Sequence, residues 1–191
     1  MKNKLAPLVI IGCNRVKLLK RLVFSLKKNK LSKRTLVYFF IDFNSNKKTS
    51  QEIISFLDNI DFFYKKKIIL RAKKFGLKKN ILSAIDYVFK FHEKIIVLED
   101  DLEVSKNILE YFNKSLDKFK KNQDIYTIAG FSFNTFYDLE NSIDNDLILS
   151  KRPSSWGWAS WKFKWKRLNK KKIKNLNSVK CDYGNDLLLM S

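Results

Sequence analysis

The sequence predicts an α/β fold, a mostly parallel sheet flanked by helices on both faces. Three observations predict it. Short apolar runs alternate with segments of helical period. The runs are apolar on both faces, as strands covered from both sides require. Polar residues gather just past the runs, where an open parallel sheet binds its ligands.

The first run, "PLVIIGC" (Pro7 to Cys13), reads as a buried strand. Its basic start and Gly-Cys pair imitate a lipoprotein signal. The run is short, however, holds Pro7 and leads straight into basic helix-like sequence, so a first core strand is expected. Arg15 to Lys28 follows as a helix, with Val16, Leu19, Leu22, Val23 and Leu26 on one face. Thr35 to Asp42 is the second strand, and Thr49 or Ser50 can cap a helix over Gln51 to Leu57. Lys66 to Arg71 is the third strand, Gly76 opens a helix through Phe89, and Lys94 to Glu99 is the fourth strand. Ser105 can cap a helix through Phe119. This β-α-β-α-β-α-β order is what makes the sheet parallel. Past Gln123 the pattern loosens. Ile125 to Phe133 and Asp146 to Ser150 read as further strands, joined by a loop from Asp138 to Asp146. Trp158, Trp161, Trp165 and Leu168 keep helical spacing and predict a buried stripe.

Length and composition set the bounds. A chain of 191 residues with 45% hydrophobic content suits a single domain with a sizeable core and excludes wholesale disorder. No apolar run approaches the roughly 20 residues that span a bilayer. The formal net charge of +20 fits nucleic-acid binding, an anionic membrane, a phosphate site or a coding bias toward Lys, and alone decides nothing. Cys13 and Cys181 make no disulfide framework and no zinc pattern. Cys13 is expected as a buried free thiol, and His92, the one histidine, on a surface helix.

The polar residues at the strand ends are the candidate site. Strand one ends in Cys13-Asn14-Arg15, strand two in Asp42 and strand four in Glu99-Asp100-Asp101. Three adjacent carboxylates repel, and a divalent cation with oxygen ligands, Mg²⁺ or Mn²⁺, would offset that and could bridge a diphosphate. An acidic turn helping to cap the next helix accounts for the same residues. If the strand stays extended, Glu99 and Asp101 face one way and Asp100 the other. Arg15 suits a phosphate or a base, or is simply a first-turn helix residue. Asp42 could accept from a nucleobase or ribose, or be a turn residue. In Trp156-Gly157-Trp158 the glycine lets backbone approach a ligand, and indole faces pack on sugar rings. From Trp161 to Cys181 there are nine Lys or Arg and no acid, a stretch fit for anionic lipid, for phosphate or for plain solvation.

"VLEDDLEVSKNILEYFNKSL" resembles the metal-binding segment of the GT-A glycosyltransferases related to animal alpha-1,3-mannosyl-glycoprotein beta-1,2-N-acetylglucosaminyltransferase. It is more similar still to bacterial homologues in capsule and lipopolysaccharide gene clusters. "LVIIGCNRVKLLKRLVFSL", "FGLKKNILSAIDYVF" and "SSWGWASWKFKW" agree in the same order, so the resemblance covers nearly the whole chain. It implies one GT-A domain over 1–191, with a nucleotide-binding half at 1–122 and a partial acceptor-side half at 123–191. It implies an inverting, metal-dependent transfer from a nucleotide-sugar donor to a surface-glycan or lipid-linked glycan acceptor, with Mn²⁺ (or Mg²⁺) on the diphosphate. Asp101 would be the direct metal ligand. Glu99 and Asp100 would contact the nucleotide, the ribose or metal-bound water; Arg15 and Asp42 would lie around the nucleotide; Trp156, Gly157 and Trp158 would border the sugar and acceptor. No nucleic-acid partner is expected. The expected location is cytoplasmic, either free or peripheral to the inner membrane through the basic segment.

The departure is C-terminal. Such proteins continue past the Trp-Gly-Trp segment into a Trp-rich motif that carries or adjoins the catalytic base. Here only Asp182 and Asp186 follow Asp146 as carboxylates. Either one of them is the base, or the C-terminal part is truncated and the chain is a donor-binding, inactive form. Two other readings stay open on the residues: a nucleotidyltransferase, for which "GCNRVKLL" is a poor phosphate loop, and a basic nucleic-acid- or membrane-binding protein.

Overall fold

The computed structural model describes residues 4–131 and 154–170, with side chains to residue 167. Strands β1 (Leu8–Gly12), β2 (Leu36–Ile41), β3 (Lys65–Leu70) and β4 (Lys94–Glu99) run parallel, and β5 (Thr127–Ala129) and β6 (Trp158–Trp161) complete a six-stranded sheet. The order is β3-β2-β1-β4-β6-β5. β6 is antiparallel to both of its neighbours.

Helices α1 (Val16–Lys27), α2 (Lys47–Asp58), α3 (Leu77–Val88), α4 (Ile108–Lys118) and α5 (Lys162–Lys170) cover it. Strand alternation builds two cores. Leu8, Ile10, Val37, Phe39, Ile96, Leu98, Ala159 and Trp161 pack under α1, α2 and α4. Val9, Ile11, Tyr38, Phe40, Ile95 and Val97 pack under α3, with Trp158 of β6 and Trp165 of α5 alongside. Handedness explains which helix goes where. The chain steps from β1 through β2 to β3 in one direction, then returns across β1 to β4, so right-handed crossovers put α3 on the face opposite α1 and α2. That reversal leaves a crevice beyond the carboxyl ends of β1 and β4.

Several expectations are corrected. Asn46, not Thr49 or Ser50, caps α2, its side chain accepting the Thr49 N–H at 3.1 Å. Ser105 does not cap α4, which starts after Asn107. Trp158 and Trp161 lie in β6 rather than in a helix, and the helix begins only at Lys162. Three residues apart in a strand, the two indoles point to opposite faces. Trp161 is buried and donates Nε1–H to Leu116 O at 3.1 Å, whereas Trp158 stacks on Trp165 with centroids 6.2 Å apart. His92 follows α3 and is half-buried, sharing a 2.9 Å hydrogen bond with the Tyr38 hydroxyl. Cys13 is a free thiol, half-buried rather than fully enclosed. Lys164, inside the stretch read as a basic face, is instead buried in a basket of the carbonyls of Phe119, Asn122 and Ile125. The strand expected at Asp146 to Ser150, with Leu168, Cys181, Asp182 and Asp186, lies outside the residues whose side chains are described. Among the described residues no helix is long and apolar enough to cross a membrane.

Candidate functional site

The candidate site sits at the β1/β4 crevice, and the register explains its assembly. Gly12 ends β1 beside Ile41 of β2, and Asp100 N–H extends the β1/β4 ladder to Ile11 O at 2.9 Å. A Cβ on Gly12 would come within 3.2 Å of Asp100 Oδ2 and 3.3 Å of Ile41 Cδ1. The missing side chain at position 12 is what lets the Asp100 carboxylate fold back against β1.

The strand does not stay extended. A turn follows Glu99, with Leu102 N–H on Glu99 O at 3.3 Å, and it brings Asp100 and Asp101 to one guanidinium. Arg15, at the N-terminal boundary of α1, makes an ion pair with Asp100 Oδ1 and another with Asp101 Oδ2 at 2.8 Å. Arg21, farther along α1, donates to Asp101 O at 3.3 Å and lies 3.7 Å from Glu103. α1 therefore grips the acidic turn with two arginines. Behind the turn, Ser25 Oγ accepts the Val104 N–H at 3.2 Å. The buried Asn29 donates to Ser105 O at 3.1 Å and accepts the Leu109 N–H at 3.3 Å.

The three carboxylates differ in environment. Asp100 is 2% exposed in its side chain, and its Oδ2 accepts the Cys13 N–H at 3.3 Å. Burial pushes its pKa up, against the pull of Arg15. Glu99 is half-buried and also shifted up, first by burial and then by the Asp101 charge. Asp101 stays exposed at 42%. Arg15 is held more firmly protonated than usual, because the two carboxylates outweigh the effect of its own burial. Burial, with Asp42 and Asp100 nearby, raises the Cys13 thiol.

Asp42 is buried beside this group and its oxygens are engaged by backbone. Oδ1 accepts N–H groups of Phe43 (2.9 Å) and Phe75 (2.8 Å), and Oδ2 accepts that of Gly76 (2.8 Å). The residue read as a nucleotide contact thus ties down the segment between β3 and α3.

Trp156 opens onto the same edge. It is 51% exposed, and its ring lies 4.8 Å from that of Phe131, which ends the described β5 segment and which the sequence reading passed over. Gly157 N–H and C=O serve the backbone: the carbonyl accepts Gly130 N–H at 2.8 Å. Gly157 has φ +77°, and a Cβ there would sit 2.9 Å from Leu98 Cδ2, so the glycine answers to packing on β4. Trp158 turns away toward α5. An open groove of about 530 Å³ runs along α3 past Phe75, Lys79 and Leu82, apart from the carboxylates.

Among the described residues no three His, Cys, Asp or Glu side chains converge on a metal position. The donor set is instead one exposed carboxylate, Asp101. That fits a hard divalent cation whose other ligands are water and the oxygens of a phosphate substrate, since such ions seldom occupy an all-protein cage.

Comparison with known proteins follows the same lines. A family model described as "GNT-I family" matches residues 1–174. No curated protein matches the chain. Among solved structures, a mannosyltransferase from Pyrobaculum calidifontis in complex with GDP-Man and Mn²⁺ is similar with a TM-score of 0.59 at 10% identity, over 87% of this chain and 47% of that one. The glycosyltransferase GlyE of Streptococcus pneumoniae gives 0.45 at 15% identity, over 92% and 41%. The chain spans less than half the length of either. Its mixed, mostly parallel sheet flanked by helices is that of the GT-A glycosyltransferases. With residues 1–174 matched, the chain belongs to the GNT-I family of glycosyltransferases.

Proposed function

We propose that the chain is an inverting glycosyltransferase that takes a sugar from a nucleotide-sugar donor bound at the β1/β4 crevice. The acceptor is a bacterial surface glycan, of capsule or lipopolysaccharide, or its lipid-linked precursor. The observation that carries the reading is the Arg15–Asp100–Asp101 constellation at the sheet's reversal point, in a chain of a glycosyltransferase family.

In this reading Asp101 offers its exposed carboxylate to Mn²⁺ or Mg²⁺ together with the donor's phosphates. Such an ion supplies Lewis-acid stabilisation for the departing nucleoside diphosphate. Asp100 is a positioning residue: buried, it fixes Arg15 and the Cys13 N–H at the mouth of the crevice. Arg15 can swing from Asp101 toward a phosphate while keeping its bond to Asp100. Glu99, half-buried, faces the nucleotide. Trp156 with Phe131 offers aromatic faces to a sugar ring. An inverting transfer also needs a base for the acceptor hydroxyl, and Asp182 and Asp186 are the candidates by position in sequence. The basic stretch beyond Trp161 supports a place on the cytoplasmic surface of the inner membrane, which fractionation of the expressing cell would test.

Thermal shift across a panel of nucleotide sugars, with and without Mn²⁺, tests the donor reading. One donor is expected to stabilise the wild type only when Mn²⁺ is present, and Asp101→Ala to lose that response. Undiminished Mn²⁺-dependent binding in the variant would sink the metal assignment. The anomeric configuration of any product, read by NMR, tests inversion.

A further inference from the structure

The segment between β3 and α3 is fixed at both ends and free in the middle. At its start, Arg71 lies between the rings of Phe40 (5.0 Å) and Phe75 (4.6 Å). Its guanidinium donates to Asn80 Oδ1 at 2.9 Å and Ser83 Oγ at 2.7 Å, which locks it to the first turns of α3. At its end, Asp42 holds the N–H groups of Phe75 and Gly76. Between these anchors Ala72, Lys73 and Lys74 form an exposed arch. Because Asp42 follows Ile41, the neighbour of Gly12 in the sheet, the arch is tethered directly beside the end of β1. Burial first, then the Asp42 and Asp100 charges, raise the Cys13 thiol, and Lys74 from the arch and Arg15 act against them, so the Lys74 charge is felt at the end of β1.

Charge balance gives the arch a purpose. The crevice edge carries Asp42, Glu99, Asp100 and Asp101. Its arginines are occupied, Arg15 by two carboxylates and Arg71 by α3. Lys73 and Lys74 make no ion pair among the described residues. Four carboxylates and a diphosphate together outweigh Arg15 and one divalent cation, so a further positive charge beside them is favoured. An ammonium on a flexible stem binds phosphate as a point charge.

We propose that Lys74 is a donor-phosphate ligand, delivered to the crevice by the Asp42 tether, so that Asp42 acts as its positioning residue. This rests on the nucleotide-sugar reading above and adds a residue to it. Calorimetric titration of the full chain with UDP, GDP, ADP, CDP and dTDP in the presence of Mn²⁺, and with the matching nucleosides, tests it. For the diphosphate that binds, Lys74→Ala is expected to weaken affinity about tenfold, as loss of a charged hydrogen bond would. Binding of the nucleoside should not change, and Lys74→Arg should recover most of the loss. Lys28→Ala, which removes one charge at the opposite edge of the sheet, should bind as the wild type does. Asp42→Asn should weaken the diphosphate too, and adding it to Lys74→Ala should cost little more. If Lys74→Ala binds the diphosphate like wild type, or loses nucleoside equally, the role of Lys74 is overturned while the donor reading stands. If the wild type binds none of the diphosphates, both fall.

Discussion

At Asp100 a carboxylate is taken almost wholly out of water and left with Arg15 as its charged partner. Removing one member of a buried pair strands the other, which is worse than removing both. Arg15→Met is therefore expected to destabilise the fold by about 1–3 kcal/mol, the lower end reflecting the solvent access of the arginine. Adding Asp100→Asn should recover part of it. Urea unfolding of the two single variants and the double variant checks this, and additive losses would argue against coupling. The three acids stood out as a cluster in "EDD" itself, but their geometry did not. Alternation assumed an extended chain, whereas the turn after Glu99 places Asp100 and Asp101 on one guanidinium. Asp42 was legible as a strand-end acid. Its tether to Phe75 and Gly76, 33 and 34 residues away, has no local signature.

The elements divide along similar lines. Strands β1, β2 and β4 were readable within a residue or so because burial on both faces leaves an unbroken apolar run; β3, at the sheet edge, is not buried on both faces as expected, and only Ile68-Ile69-Leu70 marked it. Helix starts were less so, since Thr49, Ser50 and Ser105 are all acceptable caps and only the entry direction of the chain decides. The Trp-rich segment misled because spacings of three and four fit a helix; pairing with β4 and β5 overrode that local pattern. Asn29 shows how one side chain can join elements. It bridges the C-terminal end of α1 to Ser105 and to Leu109 at the start of α4, and so braces the segment that leaves the acidic turn. Asn29→Ala should cost about 1–3 kcal/mol, chiefly because the buried Leu109 N–H loses its partner. Hydrogen exchange at Leu109 should rise in the same variant. A loss confined to global stability, with Leu109 still protected, would count against the bracing role.

At the scale of the whole molecule, His92 links one face of the sheet to pH. His92 belongs to the α3 face, against Tyr38, with Lys4 and Lys67 nearby. Burial first, and then the two lysines, lowers its pKa from the ordinary 6.5. The folded state thus prefers the neutral ring. As pH drops below about 6.5 the unfolded chain binds a proton that the folded one resists, and stability falls until the folded-state pKa is passed. His92→Gln should flatten the melting temperature profile between about pH 7 and 5; an unchanged slope would place the titration elsewhere. The general layered plan was legible from the alternation of runs. The insertion of β6 between β4 and β5 was not, because it depends on pairing between residues 29 to 67 positions apart. That insertion carries a last consequence. The backbone bond between Gly130 and Gly157 brings the two borders of positions 132–153 together at the mouth of the crevice. Closing a longer or shorter insert between two joined borders changes the free energy by only about 0.6 kcal/mol per doubling of length. A change of length between these borders therefore leaves the register of β4, β6 and β5 in place.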